Sequence, residues 1–530
     1  MPVTGATMTD DGVPASLTWT TPTSEPYVVD GRASISGGMP IGNGETAALL
    51  FPVQRPFNTT DTFRVGAGVH LVLTMATAMA SDTALMPLAL VSIETDPPLG
   101  TSDFRQSLHL ANATATVSSS VGSVTAWVDA ESSRAELNVR STGVAAFRSI
   151  NVTVQSLRPM GRFNYSTRCG SSTSPADVWS RPAGEHSIGL HHHNDDADTS
   201  SWLKCAPRQP DRVPVCAGHV HHRAFFNSTL AQQGLGHLTA QLQASDRWRH
   251  RSFGLVVSAS GLERVGASDE DSGAGPPFGA HTRYRRRRLA TTRPMRATDV
   301  TITTLSAQGS GSGSWTAEAA AMHATNVRRT SSVARREGHD AYWRRFWARS
   351  HIVVTSTTRD VTNLTARYAQ TRYVQAVQAG TWVPIKFNGG LWSGAAQLPP
   401  ETPHSGPTYR LFGSSTWWQN ARLAYWSMLA PADFGALATL FEWYMQMLPL
   451  LEARTPLVFN HSGIYTTETS TLFGTYDPCD YGSPAGIRNQ SRLPLGYEEN
   501  RFLRFVSLHS QPGGRTEATG ADLIWCLRGV

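Results

Sequence analysis

Cysteine is scarce here: five residues, at 169, 205, 216, 479 and 526, in a chain of 530. That is too few for a disulfide-scaffolded fold, and the spacing is too wide for a zinc site. Cys205 and Cys216 can close a loop, with Cys169 competing for either, and the odd count leaves at least one thiol unpaired within the chain. Charge is also scarce, at 16% of residues, while Gly, Ser, Thr and Pro are abundant, a surface more typical of an extracellular protein than of a cytosolic one. The formal net charge of +6 is local: Arg283, Arg285, Arg286, Arg287, Arg288, Arg293 and Arg296 crowd one segment, and acids and bases nearly balance elsewhere. No nucleic-acid recognition fold accompanies that run, which reads as a solvated linker. No stretch reaches 18 consecutive apolar residues, so no transmembrane helix and no membrane partner are expected. Met1 to Thr9 lacks a basic region followed by an apolar run and is not a signal peptide.

What is present begins with a glycine turn, Gly37-Gly38-Met39-Pro40-Ile41-Gly42-Asn43-Gly44-Glu45, feeding the apolar run Ala47 to Phe51. Its spacing does not match a nucleotide-binding fingerprint, so it reads as a structural turn before a buried strand. From Phe63 to about Leu262, short runs rich in β-branched residues, several of them alternating, predict an antiparallel sandwich. Residues 169–222 read as an insertion, in which His191-His192-His193-Asn194-Asp195-Asp196 is a solvated loop without fixed ligand spacing, so no metal or other cofactor is expected. Eight Asn-x-Ser/Thr sequons, beginning at Asn58, Asn112, Asn151, Asn164, Asn227, Asn363, Asn460 and Asn489, point to a secreted glycoprotein.

Helical periodicity starts after residue 313. Trp315 to Met322 is one short segment, and Val333 to Ser350 is a longer one with Tyr342, Trp343, Phe346 and Trp347 on one stripe. A third runs from Asp360 to Val377 and is stopped by Gly380. Ser414 or Ser415 can cap a helix to about Leu429, and Asp433 the next, whose apolar face is Phe434, Leu437, Phe441, Tyr444, Met445 and Leu448. Between them Ala430-Pro431-Ala432 allows only an antiparallel neighbour, a helical hairpin. The expected domains are an irregular lead-in at 1–36, a β-sandwich at 37–265, a linker and loop region at 266–313, a helical linker at 314–356, a partial α/α domain at 357–506 and a non-periodic tail at 507–530.

The stretch from Gly380 to Asp480 concentrates aromatic rings among polar groups. Lys386, Asn388, Trp392, Trp417, Trp418, Arg422, Tyr425 and Trp426 are candidate sugar-binding residues: ring faces accept the C–H face of a sugar, and amides and guanidinium fix its hydroxyls. The competing reading is that these aromatics pack a helix-rich core.

Met39 to Gly44, Pro384-Ile385-Lys386-Phe387-Asn388-Gly389-Gly390, Trp417 to Trp426 and Phe473-Gly474-Thr475-Tyr476 together resemble six-hairpin glycosidases. Nearest are proteins with domain of unknown function 5703, related to the glycoside hydrolase family 95 α-L-fucosidases. The resemblance implies a multidomain β + α chain: an N-terminal antiparallel β-super-sandwich followed by an (α/α)6 toroid, here incomplete. It implies inverting acid/base hydrolysis of oligo- or polysaccharide. Glu468 is then the candidate general acid and Asn420 matches an asparagine that helps activate water, while Trp418 stands where a second asparagine is found. A partly buried Glu468 would keep its proton toward neutral pH. The chain departs from the family after Val506, where periodicity ends; a truncation or frame change there would remove the second carboxylate, for which only Asp477 and Asp480 are nearby, and would leave the hydrolase inactive. The alternative is a non-catalytic carbohydrate-binding or structural secreted protein. Oligomeric state is not legible.

Overall fold

In the computed structural model the described residues are chiefly 38–53, 63–80, 85–99, 105–142, 145–158, 170–182, 186–194, 235–265, 285–309, 312–328, 332–352, 359–385, 390–395, 416–459 and 462–472, with single gaps in several of these and a few short strand pairs elsewhere. The main strands are, in chain order, β1 (Met39–Gly42), β2 (Thr46–Val53), β3 (Gly68–Met75), β4 (Ala89–Asp96), β5 (Arg105–His109), β6 (Thr114–Ser118), β7 (Gly122–Val128), β8 (Arg134–Ser141), β9 (Ser149–Gln155), β10 (Val178–Ser180), β11 (Ser187–His193), β12 (Arg251–Ala259), β13 (Glu263–Arg264), β14 (Arg286–Thr291) and β15 (Ala297–Gln308). A seven-stranded sheet has the order β13-β14-β9-β4-β3-β2-β1, and an eight-stranded sheet the order β5-β6-β7-β8-β15-β12-β11-β10. Every neighbouring pair is antiparallel.

The sheets face each other across one core. Leu50, Leu71, Val91 and Val152 from the first sheet meet Val117, Val124, Leu137, Leu255 and Ile302 from the second. Strands β2 and β3 are buried along their whole length. Their outward residues Leu49, Phe51, Val53 and Val72 are covered in turn by Leu157 and Trp392. A strand covered on both faces needs apolar residues at every position, which is what Ala47 to Val53 supplies.

Two segments expected outside the sandwich belong to it. The sandwich does not end at residue 265: β14 pairs with β9, and β15 pairs with both β8 and β12. The arginine-rich run is therefore partly a strand rather than a solvated linker. Arg286, Arg287 and Arg288 are half-buried, their stems lying along the sheet around the buried Leu289. The Arg287 guanidinium sits 5.8 Å from the Trp179 ring. Likewise His191-His192-His193 is not a loop but the end of β11, held between β10 and β12. The His191 ring stacks on Trp315 at 4.4 Å, His192 Nδ1 lies 3.1 Å from the Asp177 carboxylate, and His193 Nδ1 lies 2.8 Å from Ser252 Oγ. Cys205 and Cys216 are opposite each other in the register of a short strand pair. His219, His221, His222, Asp195, Asp196 and the tail 507–530 lie outside the described residues.

Five helices of the second half matter here: α1 (Ser312–Arg328), α2 (Ser332–Arg349), α3 (Arg359–Ala376), α4 (Trp418–Trp426) and α5 (Phe434–Phe459). Helix α1 covers the outer face of the eight-stranded sheet, where Trp315 and Ala319 pack on Val256 and the Trp315 indole donates to the Leu305 carbonyl at 3.1 Å. Helix α2 buries Trp343, Phe346 and Trp347, and the Trp347 indole donates to the Leu110 carbonyl at 2.9 Å. Helix α3 docks on the glycine turn: the Tyr373 hydroxyl donates to the Pro40 carbonyl at 2.8 Å, and the Gly44 amide donates to the Val377 carbonyl at 3.1 Å. Gly44 has φ +95°, and a Cβ there would meet the Gly380 backbone at 2.6 Å, so only glycine fits this junction.

Helices α4 and α5 follow each other through a short turn and share one apolar cluster of Tyr425, Met428, Leu437, Leu440, Trp443 and Met447. Asp433, the expected cap of α5, turns its carboxylate elsewhere, to Arg372 of α3 at 2.9 Å and Arg349 of α2 at 2.8 Å. Helix α5 runs on past Leu448 through Pro449 and Pro456 to Phe459. The described architecture is thus two antiparallel sheets with few helices.

Candidate functional site

A small cleft with a cavity volume of about 20 Å³, room for about one water molecule, lies where the sandwich meets the helices. Ala76, Met79 and Leu85 form its sandwich wall, and Gln378, Val383, Pro384, Ile385, Leu391, Thr416 and Leu472 form its helical wall. The loop after α3 builds much of it. The Gln378 and Ala379 amides both donate to the Gln375 carbonyl at 3.1 Å, ending the helix. The Ile385 amide then donates to the Tyr425 hydroxyl at 2.6 Å, and the Leu391 amide to Gln378 Oε1 at 3.3 Å. Gly390 has φ +56° and packs directly against the Gln378 side chain, so a larger residue would push the loop off.

Thr416 brings a short antiparallel ladder to the same wall. Thr416 pairs with Ser470 and Trp417 with Thr469. The next ladder pairs Thr466 and Thr467 with Val506 and Phe505. Glu468 falls between the two and lies outside the described residues, as do Lys386 and Asn388. Trp417 occupies the ladder, while Trp418 and Asn420 lie in the first turn of α4.

Helix geometry divides the remaining candidates. Ala421 and Tyr425 share the inward face of α4, whereas Arg422, Leu423 and Trp426 share the outward one, as residues three and four apart do. Tyr425 is fully buried, its hydroxyl is committed to Ile385, and burial pushes its pKa up. It is placed in the core rather than facing a ligand. The Arg422 guanidinium lies 4.9 Å from the Trp426 ring, and burial pushes its pKa down. Trp426 is exposed, and Arg422 with Trp426 forms a surface pair that Tyr425 does not join. Trp392 is half-buried and covers the outer face of the seven-stranded sheet beside Phe51 and Leu90, a packing position.

The cleft also has neighbours that the sequence reading passed over. Trp248 and Trp382, 4.9 Å apart, belong to the same apolar cluster as Ala76, Met79, Leu85, Val383 and Leu391. Arg247 and Arg251 lie over Trp382 at 4.5 and 5.6 Å. Glu45 is half-buried, and its carbonyl accepts the amide of cleft-lining Ala76 at 2.8 Å. Burial pushes the Glu45 carboxyl up, with the Arg251 charge opposing. Burial, and then Arg247, push the Arg251 guanidinium down. The signal was the alternation of basic and aromatic residues from Asp246 to Arg251, together with an acid at the end of a glycine turn.

Among the described residues no group of three His, Cys, Asp or Glu side chains could hold a metal ion. Chemically, the arrangement offers an apolar cleft with one hydroxyl and one amide side chain on its walls, a tryptophan pair beside it and a basic flank.

Among solved structures, the chain is similar to a provisionally named kojibiose phosphorylase from the human microbiome, at 10% identity and a TM-score of 0.38 over 88% of this chain. The chain spans 54% of the length of that structure. No curated protein matches it. The N-terminal model of a domain of unknown function, DUF5703, matches residues 68–352, which is more than half of the chain and covers the sandwich from β3 onward together with α1 and α2. The chain therefore belongs to the DUF5703 family.

Proposed function

We propose that the protein acts on glycosidic bonds of oligo- or polysaccharides by inverting acid/base hydrolysis, at the cleft between the sandwich and the helices. The observation that carries this reading is the ladder register, which sets Trp417 opposite Thr469, the residue after Glu468, on the rim of which Thr416 is part. In the proposed reaction, Glu468 gives its proton to the glycosidic oxygen as the bond to the anomeric carbon breaks. A water on the opposite face, oriented by Asn420, attacks the same carbon and gives its proton to a second carboxylate, for which Asp477 and Asp480, outside the described residues, are the nearby candidates; in inverting enzymes the two carboxyls stand roughly 6.5–9.5 Å apart. Lys386, Asn388, Trp417, Trp418, Arg422 and Trp426 would contact the sugar. The kinship with family 95 fucosidases, the α/α toroid and a secreted, glycosylated state are parts of the same proposal.

A reducing-sugar assay across a panel of oligosaccharides, paired with calorimetric binding, tests it. Turnover that disappears in Glu468→Gln while binding persists supports the hydrolase. Binding without turnover in the unaltered protein supports the alternative, a non-catalytic carbohydrate-binding protein.

A further inference from the structure

We propose that Arg247 and Arg251 form a subsite for the anionic group of an acidic glycan, a uronate carboxylate or a sugar sulfate, so that the substrate of the cleft is a charged saccharide. This deepens the hydrolase reading and rests on it only for the claim that the bound glycan is turned over. The two guanidinium groups converge on one indole, at 4.5 and 5.6 Å from the Trp382 ring centre, with Arg251 also 5.9 Å from Trp248. A guanidinium laid over an aromatic face is fixed in orientation; half-buried Arg247 is the one placed to offer its N–H edges to a bidentate acceptor, and buried Arg251 adds charge behind it.

Arg251 is anchored through Nε to the Arg247 carbonyl at 2.6 Å and through Nη1 to Ser306 Oγ at 2.9 Å. Arg247 has no carboxylate within ion-pair distance among the described residues. Two cations held side by side repel, and an incoming anion relieves that repulsion. Of the nearby acids, Glu45 and Asp246 act on the Arg251 charge. Arg247 also occupies a face of Trp382, which opposes stacking of a neutral sugar there and leaves charge as the recognisable feature. The pair adjoins the cleft through Trp382, whose chain neighbour Val383 lines it.

The test is calorimetry of the whole chain with a trigalacturonate, its methyl ester, a sulfated disaccharide and a neutral cello-oligosaccharide, each also assayed for reducing-sugar release. Arg247→Gln is expected to weaken binding of the galacturonate or the sulfated sugar by about tenfold to a hundredfold, the worth of a charge-assisted hydrogen-bond pair. Arg247→Lys, which keeps the charge and loses the fork, should fall between. A circular-dichroism spectrum unchanged in both variants separates this from misfolding. Preference for the galacturonate identifies a uronate, and preference for the sulfated sugar a sulfate. Affinity for the galacturonate and the sulfated sugar no higher than for the methyl ester and the neutral oligosaccharide, or anion binding indifferent to Arg247→Gln and Arg247→Lys, overturns the inference. Neutral glycans hydrolysed while acidic ones do not bind would sink this inference alone, whereas Arg247-dependent anion binding without release of any sugar would sink the hydrolase reading alone.

Discussion

Replacing Asp433 with alanine should loosen the helical half of the molecule while sparing the sandwich. The Asp433 carboxylate, 6% exposed as a residue, takes both Nε and Nη2 of Arg372 at 2.9 Å, and Arg372 is 2% exposed. Removing one partner of such a pair strands a charge in the interior and typically costs about 3–5 kcal/mol. Three features place this case near the lower end. Arg372 keeps hydrogen bonds to the Ser350 and Phe346 carbonyls, and its guanidinium stays 4.1 Å from the Phe346 ring. The third member, Arg349, has a side chain 54% exposed, so its contact contributes roughly 0–1 kcal/mol. The expected loss is therefore about 3 kcal/mol. Asp433 joins α2 and α3 to the hairpin of α4 and α5, so the loss should appear as an early transition of the hairpin in urea unfolding, read by tryptophan fluorescence, ahead of the sandwich. Arg349→Ala should change little. The double replacement Arg372→Met with Asp433→Leu should cost less than Asp433→Ala, because it leaves no charge behind. A loss below about 1 kcal/mol in Asp433→Ala, or a double variant worse than the single, would refute the argument.

Other consequences follow from the same physics. Burial pushes the Asp177 carboxyl up, but the Arg158 charge and the His192 hydrogen bond hold it down to about 2. Its stabilisation, about 2 kcal/mol from the shift, is present above the unfolded value near 4 and lost as pH falls toward 2; Asp177→Asn should remove that acid-labile part, measured by urea unfolding at pH 5 and pH 3. Burial holds His70, His191, His323 and His339 down to about 4, so the unfolded chain binds more protons between about pH 6.5 and 4 and stability should fall as pH is lowered through that window. A thermal midpoint constant from pH 7 to 5 would contradict this. Both His191 ring nitrogens lack a hydrogen-bond partner, so His191→Phe, which keeps the stack on Trp315, should leave stability unchanged or raise it and flatten that pH dependence. Gly44→Ala should destabilise by about 1–3 kcal/mol, since φ +95° is strained for alanine and the new Cβ meets Gly380; a melt within error of the parent protein would refute the glycine argument.

Much of the fold is legible in the sequence where one physical pattern dominates. Alternation of Val, Ile, Leu and Ala marks β7, β8 and β12, and the aromatic stripe of Tyr342 to Trp347 marks α2, within a residue or two of where they lie. The pattern fails where charge masks it. In β14 a single Leu289 is buried among arginines whose stems supply the apolar surface, and in β11 three histidines follow Ile188 and Leu190 while tertiary partners satisfy or stack them. The ladder on which the proposed site rests is not legible, because Trp417 and Thr469 sit opposite each other through a pairing that no local pattern announces. Tyr425 and Trp426 illustrate the limit: adjacent in sequence and alike in chemistry, one is buried and the other exposed. The basic flank at Arg247 and Arg251 stayed invisible because its two tryptophans come from segments far apart in the chain.

The account depends on a sugar bond being cleaved beside the Thr416–Trp417 rim. Proton NMR of the first-formed product, taken during turnover of an oligosaccharide by the unaltered protein, tests that most directly. The account predicts release of the anomer opposite in configuration to the cleaved linkage, and none from Glu468→Gln. A product retaining the original configuration, or release undiminished in Glu468→Gln, would contradict it.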